Sequence, residues 1–142
     1  NLKILINLRN FCKKKGIKLY LSNNFKLALK LQLDGVYLPS FNNSTRYNCF
    51  KLKKNFDVIG SAHNVTELNT KIRQKVKSIF IAPVFKKKRY KLGIYGFLKF
   101  KKFTSKNLIV LGGVTKEKMN MISFLNAKGF AGINYFQKKR PL

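Results

Sequence analysis

Acidic residues are nearly missing from this chain of 142 residues: 4 Asp and Glu stand against 31 Lys and Arg, for a formal net charge of +27. Asp34, Asp57, Glu67 and Glu117 are the whole set. So sparse a set excludes the carboxylate pair on which glycoside hydrolysis depends. Local positions account for most of it: Asp34 falls in a turn before a strand, Glu67 at a capping position and Glu117 in a helix first turn. Asp57 opens a strand and has no assigned task. Histidine occurs once, as His63, and cysteine twice, as Cys12 and Cys49, with no metal-ligand spacing. Two unpaired thiols without a secretion signal fit a reducing, cytoplasmic setting. Long apolar runs are missing too, so no stretch is fit to span a bilayer. The apolar positions 2, 5, 8 and 12 mark one helix face, and the absence of a small-residue cleavage site argues against a signal peptide. The chain does not begin with Met, and further residues are expected upstream of Asn1.

What is plentiful is lysine. A strongly basic chain invites a nucleic-acid reading, but Lys far outnumbers Arg, and Asn, Ile, Phe and Tyr are abundant beside it. All of these have A/T-rich codons, and the lysines are spread along the whole chain. Base composition of the source genome therefore explains the charge better than a dedicated nucleic-acid surface; an RNA-associated basic protein is the remaining alternative. Hydrophobic residues make up 45% of the chain, enough for one domain with a real core.

The pattern is strand and helix in alternation. Helices are expected at 2–15, 25–33, 64–76, 94–103 and 116–128, with a short one at 49–54. Strands are expected at 17–21, 36–38, 56–60, 78–82, 108–111 and 131–135. Such alternation demands a parallel sheet, since each crossover helix returns the chain to the same end. An open doubly wound sheet and a (β/α) barrel both satisfy it, and in either the site lies where the strands end. Ser22, Asn23, Asn24, Ser40, Asn42, Ser61, His63, Lys88 and Gly112 gather at those ends. The organising stretch is Leu108-Ile109-Val110-Leu111-Gly112-Gly113-Val114, read as a strand buried on both faces that runs into a glycine pair. Thr115 follows as a helix N-cap. Bare glycine amides beside a helix start make a seat for an anion. Without a ligand, the same residues are a tight turn.

Six strand-end motifs occur in order: Leu33-Asp34-Gly35-Val36-Tyr37-Leu38, Ile59-Gly60-Ser61-Ala62-His63-Asn64, Ile81-Ala82-Pro83-Val84-Phe85, Leu92-Gly93-Ile94-Tyr95-Gly96-Phe97, Leu111-Gly112-Gly113-Val114 and Gly129-Phe130-Ala131-Gly132-Ile133. Together they resemble the thiamine-phosphate synthase and TenI-type thiazole tautomerase family over nearly the whole chain. The resemblance implies an α/β fold, the (β/α)8 TIM barrel. It also implies a single partial domain over 1–142 that lacks the first two strands. A piece with open sheet edges is expected to aggregate or to need those strands. The synthases join a pyrimidine methyl pyrophosphate to a thiazole phosphate and release pyrophosphate; the tautomerases move a proton on a thiazole phosphate carboxylate.

By the same resemblance, Gly112 and Gly113 hold the thiazole phosphate, Ser61 helps place the pyrimidine, and His63 stands where the tautomerases move their proton. The structural reading of that position, a hydrogen-bonded His that starts the next helix, stands slightly ahead of the proton-moving one. Lys88 or Lys91 matches a pyrophosphate-contacting lysine, with Asn23 as a further contact. The synthases hold Mg²⁺ through an Asp after each of two strands. Here those stretches read Ser22-Asn23-Asn24 and Ser40-Phe41-Asn42, so Asn24 and Asn42 stand at the metal positions, the first ambiguous by one residue. An amide oxygen brings no charge, and affinity for Mg²⁺ is expected to fall. The implied partners are small phosphorylated pyrimidines and thiazoles, with a homo-oligomer also in view. The implied activity is that of a transferase of thiamine biosynthesis. A metal-free tautomerase using His63, or a thiazole-phosphate binder without chemistry, are the alternatives.

Overall fold

The fold is known as a computed structural model, which describes residues 1–49, 53–85 and 92–137. In chain order the elements are α1 (Leu2–Lys14), β1 (Tyr20–Ser22), α2 (Phe25–Lys30), β2 (Gly35–Leu38), β3 (Asp57–Ala62), α3 (Val65–Arg73), β4 (Ser78–Ile81), α4 (Gly93–Phe103), β5 (Asn107–Leu111), α5 (Met119–Phe124), β6 (Gly129–Ala131) and α6 (Ile133–Gln137). The six strands pair in parallel in the order β1-β2-β3-β4-β5-β6. A doubly wound sheet reverses its strand order partway. This one never does, and it curls as a half-barrel with helices on its convex side.

Burial follows from that curl. Val36, Leu38, Ile79, Ile81, Leu108 and Val110 point toward the helices and are 0–4% exposed. Against them pack Ala28, Leu68, Phe97 and Leu125, each fully buried. Their neighbours Tyr37, Ile59, Phe80, Ile109 and Leu111 face the concave side and are only half-buried. The expectation of a β5 buried on both faces is thereby corrected: the helix layer covers one face only, and burial alternates along the strand.

Other boundaries shift for local reasons. The first strand begins at Tyr20 rather than Ile17, because Ile17 N donates back to Cys12 O at 2.9 Å and Leu19 is held by Asp34. The last strand is Gly129–Ala131; its partner β5 ends at Leu111, and residues 133–137 wind into α6 instead of extending the strand. The expected helix over 116–128 is a 3-10 turn, Lys116–Lys118, followed by the six residues of α5. The short helix expected over 49–54 falls partly outside the described residues.

Asp57 acquires its task here, at the N-terminal end of the strands. It accepts from Lys77 Nζ at 2.8 Å, Lys18 Nζ at 3.1 Å and Tyr20 OH at 3.2 Å, tying β1, β3 and the start of β4 together. Burial alone would raise its carboxyl pKa, but the two ammonium groups outweigh it and hold the value below the ordinary one. Tyr20 is pushed up to about 12 by burial and by the Asp57 charge. Among the described residues no helix is long and apolar enough to cross a membrane.

Candidate functional site

The glycine pair lies just past the end of β5. Gly112 and Gly113 have φ of +93° and +75°, the left-handed region that side chains resist. A Cβ on Gly112 would also stand 3.0 Å from Pro83 Cα, so the position is glycine on two counts. This close approach lets Val84 N and Phe85 N donate to Leu111 O and Gly112 O at 3.0 and 2.9 Å. The carbonyls are thus used by the loop after β4. Neither glycine amide has a backbone acceptor among the described residues. Lys118 Nζ donates to Gly113 O at 3.0 Å and stands 5.2 Å over the Phe85 ring. Beside the pair a cleft of about 580 Å³ opens between the loops after β5 and β6, with Thr115, Lys116, Glu117 and Tyr135 on its walls. Thr115 precedes the 3-10 turn as expected of a cap, but its side chain makes no capping bond.

Two strands away, Ser61 is 3% exposed and its Oγ accepts from Tyr37 OH at 2.7 Å. The pair belongs to the concave face. His63 follows on the exposed rim, its Nδ1 2.7 Å from Ala82 O. A ring nitrogen facing a carbonyl carries the hydrogen, which leaves Nε2 as the basic nitrogen. Ala82 precedes Pro83, and Pro83 lies against Gly112, so His63 and the glycine pair meet the same short segment from two sides. The backbone of His63 is fixed as well: its N donates to Glu67 Oε2 at 2.6 Å, and Asn64 Oδ1 caps α3 through Glu67 N at 2.9 Å. The helix-starting and proton-moving readings of His63 are therefore compatible.

The loops after β1 and β2 carry the positions where the resemblance implies a divalent ion. Asn24 Oδ1 accepts from Leu27 N at 3.0 Å and is the N-cap of α2. Asn42 Oδ1 accepts from Ser44 N at 2.9 Å and from Gln74 Nε2 at 3.0 Å. Asn42 Nδ2 donates to Asn23 Oδ1, joining the two loops directly. Mg²⁺ needs free, preferably charged oxygens, and these are neutral and already engaged. Of the four carboxylates, Asp34 and Asp57 lie at the opposite ends of the strands, Glu67 is bonded to His63 N, and Glu117 lines the glycine cleft after β5 rather than the loops after β1 and β2. Among the described residues no group of three or more His, Cys, Asp or Glu could hold a metal ion. The residues present do not fit the ion.

Behind Asn42 lies Lys71, fully buried. Its Nζ donates to Pro39 O at 2.7 Å, Asn42 O at 2.9 Å and Gln74 Oε1 at 2.9 Å, one acceptor for each ammonium hydrogen. Gln74 Nε2 in turn reaches Asn42 O and Ser44 O, both at 2.9 Å. Burial pushes Lys71 down to about 8, with Glu67 opposing. The side chain runs across Gly60, where a Cβ would come within 2.9 Å of Lys71 Cδ.

The parallel strand order and its half-barrel curl fit a fold seen in one family. Its model, described as thiamine monophosphate synthase, matches residues 2–136. The chain belongs to this family. A relative from Aquifex aeolicus (strain VF5), named "Putative thiamine-phosphate synthase 2", is 28% identical over 140 residues, covering 94% of this chain and 74% of that protein. Among solved structures, the thiamine phosphate pyrophosphorylase from Pyrococcus furiosus superposes with a TM-score of 0.76 at 17% identity. The match covers 92% of this chain, which thus spans only 64% of the length of that structure. A structure described as "Native KDPGal structure" gives a TM-score of 0.69 at 13% identity, over 96% of this chain and 66% of the other. Family membership supports a place in thiamine biosynthesis.

Within the family frame, the structure sets Asn23, Asn42, Ser61, His63, Gly112 and Gly113 at the C-terminal ends of the strands. Lys88 and Lys91 lie outside the described residues. Lys71, Gln74 and Tyr37 escaped the sequence reading, as did Lys116 and Lys118 beside the cleft. A signal for Lys71 existed: it follows Leu68 by three positions on the apolar side of α3, where a lysine needs buried acceptors.

Proposed function

We propose that the chain is six strand–helix units of a thiamine-phosphate synthase (β/α)8 barrel and that it joins hydroxymethylpyrimidine pyrophosphate to thiazole phosphate. The observation that carries this reading is the cleft beside Gly112 and Gly113, whose amides have no backbone acceptor among the described residues. Amides fixed in that orientation hold a phosphate without reorganising. In the reaction, the bond between the pyrimidine methylene carbon and oxygen breaks, and its electron pair leaves with pyrophosphate. The thiazole nitrogen then attacks the methylene carbon, and thiamine phosphate forms. The glycine amides and Lys116 hold the thiazole phosphate, Ser61 with Tyr37 orients the pyrimidine, and Asn23 with Lys88 or Lys91 receives the departing pyrophosphate. A positive charge beside the departing group favours a leaving group that develops negative charge. The two free cysteines suit a cytoplasmic setting.

A second reading rests on His63: with Nδ1 committed to Ala82 O, Nε2 is free to take and return a proton on a thiazole phosphate carboxylate. One experiment separates the two. The purified protein is incubated with both synthase substrates, and thiamine phosphate is measured; formation above background is expected. No product, together with proton exchange on the thiazole that is lost in His63→Ala, would replace the synthase by the tautomerase. Binding of thiazole phosphate with neither reaction would leave a binder only.

A further inference from the structure

The loops after β1 and β2 hold together through neutral amides and one buried cation. Two carboxylates facing each other need a cation between them, because their oxygens repel and neither can donate. Two carboxamides do not, since one donates where the other accepts. Asn42 Nδ2 to Asn23 Oδ1 is that contact. Beneath them lies the positive charge of Lys71, which donates to Pro39 O and Asn42 O, closing the 39–44 loop onto α3, and to Gln74 Oε1. Gln74 completes the cluster by donating to Asn42 Oδ1, Asn42 O and Ser44 O, so Asn42 is fixed from both sides. Gly60 provides the space through which the lysine stem passes. Each part depends on the others: a side chain at position 60 blocks the stem, and a shorter residue at 71 takes the lysine donor from Pro39 O and Gln74 Oε1.

We propose that these two loops are organised without a divalent ion, the Asn23–Asn42 amide pair and the buried Lys71 standing in its structural place, and that pyrophosphate binds this face independently of metal. Lys71 is on this view a positioning residue, acting through Asn42. The clause on pyrophosphate rests on the synthase reading above; the clause on the loops does not.

The test uses manganese as a paramagnetic probe, inorganic pyrophosphate as the anion, and three variants. Electron paramagnetic resonance of Mn²⁺ with the protein alone is expected to show no saturable site at concentrations up to about 1 mM. The double variant Asn23→Asp, Asn42→Asp is expected to acquire one, together with a melting temperature raised by Mg²⁺. Calorimetry at fixed salt is expected to give pyrophosphate affinities within about twofold in EDTA and in Mg²⁺. Lys71→Met is expected to weaken pyrophosphate binding about tenfold, while thiazole phosphate, held by the glycine pair, binds as before. A saturable Mn²⁺ site in the unaltered protein that Asn42→Ala abolishes would overturn the inference. So would a gain in pyrophosphate affinity of about tenfold or more on adding Mg²⁺. Because the manganese measurement involves no substrate, its failure leaves the synthase reading standing. Absence of thiamine phosphate in the turnover assay leaves the manganese result standing.

Discussion

Replacing Gly112 by alanine tests both the shape of the glycine turn and its link to binding, and Gly16 provides the control. Both residues have positive φ, +93° and +64°, but nothing lies within 4 Å of a Cβ at Gly16, whereas Pro83 Cα and Cβ stand 3.0 and 3.1 Å from one at Gly112. The conformational penalty for a side chain in this region is about 1–2 kcal/mol, and Gly16→Ala is expected to cost no more than that. Gly112→Ala adds an overpacking cost of about 1–3 kcal/mol, because Pro83 is backbone and cannot swing aside. The total of about 2–5 kcal/mol is read from urea unfolding followed by circular dichroism. Binding responds differently again. Relief of the Pro83 contact moves the two amides, so thiazole phosphate affinity falls in Gly112→Ala and is unchanged in Gly16→Ala. Equal stability losses in the two variants would refute the Pro83 contact. A destabilised Gly112→Ala that binds as before would refute the role of the amides.

Two further outcomes follow from the packing and the charges. Asp57 has a depressed carboxyl pKa in the folded state, so its stabilisation is present above the ordinary value of about 4 and is lost as pH falls through the lower folded value. Asp57→Asn is therefore expected to be less stable than the parent at neutral pH, with the gap closing below about pH 4; a gap constant with pH would show that the carboxylate charge plays no part. Phe97 is fully buried and Tyr95, two residues before it on α4, is 88% exposed. Phe97→Ala is expected to lose about 3–5 kcal/mol and Tyr95→Ala under about 0.5 kcal/mol, measured by urea unfolding; comparable losses would contradict the stated orientation of α4.

The elements that were legible in the sequence are those with short-range causes. Alternating strand and helix patterns, the Asn64 cap and the glycine pair each depend on residues within one turn or one strand of each other. The misjudged boundaries mark where a partner at a distance intervened. Asp34 holds Leu19 across 15 residues, so β1 starts late. The half-open concave face of β5 reflects helices on one side of the curl only, which no property of Leu108–Leu111 reveals.

By itself, then, the sequence determined the parallel α/β architecture, the anion-seat candidate and the poverty of carboxylates, because composition and local periodicity carry all three, while the family came from the resemblance of its strand-end motifs. Tertiary structure alone decided what Asp57, Lys71, Tyr37 and the paired Asn23 and Asn42 do. Asn23 and Asn42 are 19 residues apart, Tyr37 and Ser61 are 24 apart, and Lys71 lies 32 residues from Pro39. Parallel crossovers bring such residues together, and a polar group's role is set by what it meets when water is removed.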